Sequence, residues 1–216
     1  DIEATARCLR SIGAEIIRTG AGYQITPIKQ VPDTASMDCG ESGSTLRFML
    51  PVVSALGIEA TFTAHGRLPD RPIAPLLDEM KMHGVICSDT FPLHISGKLT
   101  GGKFRIAGNI SSQFITGLLL ALPLCEEENE IEIIPPVESK PYIDITTKVL
   151  SDFGAKIEEN GNIYPVEIKK NSSPNKPTKN FNVLSKYNQP IMPGLVIDNA
   201  DKIRPINDNV YSFPVS

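Results

Sequence analysis

The sequence predicts an α/β chain of the α+β type, with apolar helices packed inside and short mixed sheets covering them. Three observations predict it. Three amphipathic segments of similar pattern each end at a glycine and recur at a constant period. Two segments lying between them are apolar on nearly every face. Short runs of alternating apolar and polar residues stand beside these segments.

The repeated segments are DIEATARCLRSIGAEI (1–16), RPIAPLLDEMKMHGVIC (71–87) and YIDITTKVLSDFGAKIE (142–158). Each has apolar residues three and four apart, the spacing that lines one face of a helix. Their final glycines, Gly13, Gly84 and Gly154, recur about every 70 residues, a regularity that argues for structural duplication. Glycine suits the left-handed residue that closes a helix. Each segment runs into a strand or hairpin pattern: EIIRTGAGYQITPI, VICSDTFPLHIS and KIEENGNIYPVEI. GAGYQI lacks the full spacing of a nucleotide-binding fingerprint and reads as a hairpin turn.

The second type of helix is expected in CGESGSTLRFMLPVVSALG (39–57) and GNISSQFITGLLLALPL (108–124), which are offset by nearly the same period. Each opens with small polar residues and then becomes strongly apolar. A helix without a wet face is a buried helix. Strands are expected before each, up to Cys39 and in GGKFRIAG, and after each, in IEATFTAHG and NEIEIIPPV. The pattern weakens after Pro165. KKNSSPNKPTKNFN (169–182) reads as a polar loop or linker, and the tail beyond it holds short strand patterns without an amphipathic helix. The expected organisation is one domain over 1–165, already under way as a helix at Asp1, and an uncertain linker and tail over 166–216.

Composition narrows the function. The 216 residues carry a net charge of −4, with 41% hydrophobic and 21% charged residues, which is ordinary for a globular chain and gives no sign of a nucleic-acid or membrane partner. The apolar run from Phe114 to Leu124 is too short to span a bilayer, and without a targeting signal the expected compartment is the cytosol. Cys8, Cys39, Cys87 and Cys125 form no C-x-x-C pair, so four buried free thiols are expected in preference to two disulfides or a metal site. His65, His83 and His94 lack ligand spacing and read as structural or surface residues. The acidic run at 126–129 reads as a solvated turn.

The candidate chemistry lies at helix starts. Gly43, Ser44 and Thr45 open one helix, with Arg47 in its first turns; Ser111, Ser112 and Gln113 open the other. A helix N-terminus offers free N–H groups and partial positive charge, which suits phosphate or carboxylate. Ordinary serine capping is the alternative at either start. Arg71, before Pro72, is placed to pair with an anion or, alternatively, with Asp70 or Asp78. Ser139, Lys140 and Tyr142 precede the third repeated helix as a further candidate group, or as a turn with a packed tyrosine.

CGESGSTLR, DRPIAPLL, GNISSQFITGLLLALPL and ESKPYIDIT, in that order, resemble the 5-enolpyruvylshikimate-3-phosphate synthase family of enolpyruvyl transferases over roughly 1–158. The resemblance implies two inside-out domains, each of three βαβαββ units, with the site between them. It implies transfer of the enolpyruvyl group of phosphoenolpyruvate to the 5-hydroxyl of shikimate 3-phosphate with release of phosphate, and no cofactor or metal. Ser111, Ser112 and Ser139 would hold the shikimate phosphate, and Gln113 and Tyr142 would contact the same ligand. Gly43 and Arg71 would line the phosphoenolpyruvate position, where glyphosate binds, with Arg47 in support.

Several family features have no match in this chain. The lysine–serine–arginine segment expected before Asp1 and the second domain's acid and base carboxylates are not in the sequence, so the catalytic residues are unknown. Glu41 stands where the family usually has asparagine, and no third glycine–aspartate–serine motif follows Pro165. The resemblance therefore predicts little or no turnover by this chain alone and a complementary second domain as partner. The alternatives are a non-catalytic binding or structural relative, or another enolpyruvyl transferase. The nucleotide-sugar enzyme's reactive-loop cysteine motif has no counterpart here.

Overall fold

The three repeated helices end by the same hydrogen-bond device. In the computed structural model, which describes residues 1–159, 166–168, 194–198, 202–207 and 210–214, Gly13, Gly84 and Gly154 have φ of 101°, 90° and 93°. The residue after each glycine donates its N–H five residues back, Ala14 to Leu9, Val85 to Met80 and Ala155 to Leu150. This is a Schellman closure, and the left-handed residue at its centre is the reason for glycine. The helices are α1 (Ile2–Ser11), α3 (Ala74–Met82) and α5 (Lys140–Asp152). The third starts two residues earlier than its apolar pattern indicates, because Pro141 occupies its first turn, where a missing N–H is harmless.

Two compact units are present, Asp1–Lys156 and Ile157–Ser216. In the first, β1 (Glu15–Thr19) and β2 (Gly22–Thr26) form the expected hairpin. The next elements are β3 (Thr34–Asp38), α2 (Gly43–Ala55), β4 (Glu59–Thr63), α3, β5 (Ile86–Cys87) and β6 (Leu93–Ser96). Their sheet has the order β3-β4-β6-β5. β3 and β4 are parallel, so the chain must cross over between them, and α2 is that crossover. β7 (Lys103–Ala107), α4 (Ser112–Ala121) and β8 (Glu130–Ile134) repeat the arrangement as a parallel pair joined through a helix, and α5 follows.

The second unit has a sheet of order β11-β12-β10-β9, from β9 (Val166–Ile168), β10 (Gly194–Asp198), β11 (Arg204–Asn207) and β12 (Val210–Pro214). The linker expected at 169–182 and the residue on the N-terminal side of the 165/166 boundary lie outside the described residues.

The two apolar helices are the buried ones. α2 buries Leu46, Met49, Leu50, Pro51, Val53 and Ala55; α4 buries Phe114, Ile115, Leu118 and Ala121. Both are shorter than their apolar patterns. The segment before α2 turns first, with Gly40 at φ 57° and Ser42 N–H donating to Cys39 O. After α4, Pro123 lies in a 3₁₀ turn, Leu122–Leu124, consistent with its inability to continue the ladder.

The helices touch through a complementary pair of residues. Pro51 cannot donate to the Arg47 carbonyl one turn earlier, and a methyl group at Gly117 would lie 2.3 Å from that same oxygen. Only glycine permits this approach. The expectation of helices inside is met by α2 and α4 alone; α5 buries Ile143 and leaves Tyr142, Ile145, Val149 and Phe153 largely in water.

The thiol expectation needs a correction. All four cysteines are free, but only Cys8 and Cys39 are buried, while Cys87 and Cys125 are half-buried. The Cys8 thiol donates to Asp38 O at 3.5 Å, and the neighbouring thiols act on each other, which holds Cys8 below its ordinary pKa and, with burial, pushes Cys39 above it. The 126–129 turn is exposed, and it also fastens the chain, since Glu127 Oε2 and Asn129 Oδ1 accept the N–H groups of Gly101 and Gly102 at 3.0 and 3.1 Å. No helix among the described residues is long and apolar enough to cross a membrane.

Candidate functional site

Ser42, rather than Ser44, caps α2. Its Oγ accepts the Thr45 N–H at 3.2 Å, and its carbonyl accepts the Leu46 N–H. Ser42 Oγ also lies 2.8 Å from Thr45 Oγ1, which itself meets Thr5 Oγ1 of α1 at 2.7 Å. The cap is thus rooted in the core, while the first amides of the helix have no partner one turn earlier. Sequence reasoning missed Ser42 because Ser42, Ser44 and Thr45 are all capping types.

The cations lie at this same start. A methyl group at Gly43 would stand 2.9 Å from Arg47 Nη1 and 3.1 Å from Arg71 Nη1, so both guanidiniums rest against the bare glycine. Burial first, and Arg71 second, lower the Arg47 pKa from its ordinary value. No ion pair joins Arg71 to Asp70 or Asp78 among the described residues. Arg71 instead lines a cleft of about 380 Å³ with Glu41, Gly66, Arg67 and Leu68. Gly66 (φ 58°) lies against the exposed Glu41 carboxylate, which a side chain there would have to push aside, and its left-handed backbone favours glycine. Gly66 and Arg67 come from the loop after β4 and were not singled out in the sequence. Pairing of β3 with β4 brings them in, and the His65 N–H to Gly40 O bond of 2.7 Å fixes that loop against the start of α2.

A second cleft, of about 280 Å³, lies at the start of α4, lined by Gly108, Asn109, Ile110, Ser111, Ser112, Gln113, Glu138 and Ser139. Ser111 is the N-cap, with Oγ accepting the Gln113 N–H at 3.2 Å. Ser139 is brought to the same cleft because Glu138 N–H donates to Gly108 O. Ser139 has φ 58°, a left-handed conformation uncommon outside glycine, and makes no side-chain cap bond to α5. Tyr142 lies in the first turn of α5 and is 65% exposed, so the packed-tyrosine alternative is wrong. It does not line the cleft as the serines do.

Arg47 joins the two starts. Its Nη1 donates to Gln113 Oε1 at 2.7 Å across the α2–α4 contact, and its Nη2 donates to Pro72 O at 3.4 Å. Its carbon Cζ sits 5.5 Å above the Phe114 ring, and its Nε is buried with no hydrogen-bond partner among the described residues. Ser111, Ser112, Gln113 and Ser139 therefore form one group, Gly43, Arg47 and Arg71 another, and Arg47 touches both. The arrangement can hold two anionic groups, one against neutral hydroxyl and amide donors and one against guanidiniums.

Comparison with known proteins gives the family. The chain is similar to the 3-phosphoshikimate 1-carboxyvinyltransferase of Clostridium kluyveri, with 41% identity over 162 residues, covering 73% of this chain and 38% of the relative. The enzyme of the same name from Clostridium perfringens is 38% identical over 194 residues, covering 88% and 45%. Thus the chain spans less than half the length of the curated relatives it matches. In structure it is similar to EPSP synthase from Acinetobacter baumannii, with a TM-score of 0.61 over 74% of this chain and 37% of that one; at 22% identity this bears on the fold alone. The model of the family described as EPSP synthase (3-phosphoshikimate 1-carboxyvinyltransferase) matches residues 1–185, and the chain belongs to that family.

Proposed function

We propose that this chain supplies substrate-binding groups to a site that moves the enolpyruvyl group of phosphoenolpyruvate to the 5-hydroxyl of shikimate 3-phosphate and releases phosphate. The observation that carries the reading is the pairing of two serine-capped helix starts, on α2 and α4, with Arg47 touching both and Arg71 beside Gly43. Both substrates are polyanions, and this is a cradle for two anions in a chain of net charge −4. In this reading Ser111, Ser112 and Ser139 hold the shikimate phosphate. Gln113 and Tyr142 contact the same ligand, with Tyr142 swinging in from its exposed position. Gly43 and Arg71 face phosphoenolpyruvate, and glyphosate competes there.

The chemistry is addition to the enol double bond followed by elimination of phosphate. It needs an acid for the methylene carbon and a base for the 5-hydroxyl. The carboxylates lining the two clefts are Glu41 and Glu138, and the reading assigns neither role to them. A complementary domain supplies the acid, the base and further cations, so this chain alone has little or no turnover. The reaction is cytosolic and uses no cofactor. The order β3–α2–β4–α3–β5–β6, followed by β7–α4–β8–α5, supports duplicated βαβαββ units as the frame.

The test is calorimetric titration of the folded chain with shikimate 3-phosphate at low and moderate salt. Saturable binding at one site per chain is the expected outcome. A folded chain that takes up none sinks the reading. Glu41 favours one other reading, a binding relative without the chemistry, because it puts a carboxylate in the cleft where Arg71 would meet an anion.

A further inference from the structure

Gln113 reaches the edge of the α4 cleft with a side chain that can face either way, since a carboxamide presents an acceptor at one end and two donors at the other. Which end faces the cleft decides whether Gln113 attracts or repels an anion. A guanidinium has donors only, so it meets a carboxamide favourably through the oxygen. Arg47 Nη1 donates to Gln113 Oε1 at 2.7 Å. The carboxamide nitrogen is thereby turned away from Arg47, and it makes no hydrogen bond among the described residues.

We propose that Arg47 is a positioning residue whose contact with Gln113 fixes the side-chain amide so that its donors serve an anion in the Ser111–Ser112–Ser139 cleft. The assignment rests on the reading of that cleft as an anion site. Arg47 does not line the cleft; it acts from α2 through Gln113 of α4.

Arg47 is held tightly enough for this task. Pro72 O takes a second donor from the same guanidinium, the Phe114 ring lies under it, and the Gly43 surface admits it where any side chain would displace it. Burial and the adjacent Arg71 both work against its charge. A side chain kept charged in such surroundings, with its Nε unpaired, is maintained at a cost to stability. The Gly117–Pro51 contact brings α4 onto α2 beside the Arg47 carbonyl, so main chain and side chain of one residue both set the junction.

The test is a double-mutant cycle read by calorimetric titration with shikimate 3-phosphate on the full chain. Arg47→Met is expected to weaken binding roughly tenfold when Gln113 is present and less than about twofold in the Gln113→Ala background, the non-additivity of groups acting as a unit. An equal loss in both backgrounds, or no loss in either, overturns the assignment.

Arg47→Gln serves if Arg47→Met fails to fold. Glutamine can donate or accept, so it no longer dictates the orientation of Gln113. It is expected to shift the Gln113 side-chain amide resonances, identified by their disappearance in Gln113→Ala; unshifted resonances count against the proposal. A parent chain that is folded and binds no shikimate 3-phosphate removes the anion-site reading and this inference with it. A parent chain that binds, with an additive cycle, removes only the role of Arg47.

Discussion

The starts of α2 and α4 use one helix-terminal device with opposite electrostatics. Both helices are buried crossovers between parallel strands, and both are capped by a serine. At α4 the cleft is lined by hydroxyls, amides and Glu138, with no cation among its lining residues. At α2 two guanidiniums flank Gly43, and Arg67 and Glu41 line the cleft beside them. Neutral dipoles act at contact range and are little affected by salt. Guanidiniums act over a longer range and are screened. The same fold element can therefore select one anion by fitted hydrogen bonds and attract another by charge.

Breaking the junction between the starts should have the largest effect. Gly117→Ala puts a methyl group on the Arg47 carbonyl oxygen, with backbone on both sides and little room to yield. A loss of about 3 kcal/mol of stability in urea denaturation is expected, at the upper end for overpacking. Loss of binding in both clefts should accompany it, because the two share that contact. Arg71→Ala should sharpen the comparison. It should weaken inorganic phosphate binding at the α2 start roughly tenfold and flatten its salt dependence. Titration of the α4 cleft with shikimate 3-phosphate should change little. Glu41→Gln should have the smallest effect, a gain of about two- to fivefold in phosphate affinity at low salt, since one like charge is removed from an exposed cleft edge. A gain that persists at high salt would indicate a change of shape rather than of charge.

The elements that local chemistry specifies were legible from the sequence. The three glycine closures follow from the left-handed conformation that glycine alone adopts freely, and the two buried helices follow from LPVVSALG and LLLALPL. The serine-bearing helix starts were legible because each follows from residues close in sequence, whereas Arg71 beside Gly43 was expected from the family resemblance alone. Contacts between distant residues were not. Arg47 and Gln113 are 66 residues apart, and their hydrogen bond exists only because Gly117 admits Pro51 and the Arg47 carbonyl. Gly66 and Arg67 enter the α2 cleft through strand pairing, which leaves no local signature. For Tyr142 the sequence left a packed tyrosine open beside a ligand contact, because a single aromatic residue after a turn carries no sign of which side it faces. In the structure it is exposed.

The exposed face of α5 bears on how the protein unfolds. A helix that buries only Ile143 has little apolar surface left to expose when it melts, so its release should carry a small heat-capacity change and a shallow denaturant slope. Amide hydrogens along α5 should exchange through such partial openings long before those of α2 and α4, whose release requires dismantling the core. Tyr142 lies on α5 and Ser139 at its N-cap. Ser139 alone among the residues lining the α4 cleft therefore stands at the edge of the part of the unit that opens first, and a ligand drawing Ser139 and Tyr142 inward would register as slowed exchange in α5 with almost no change in α4.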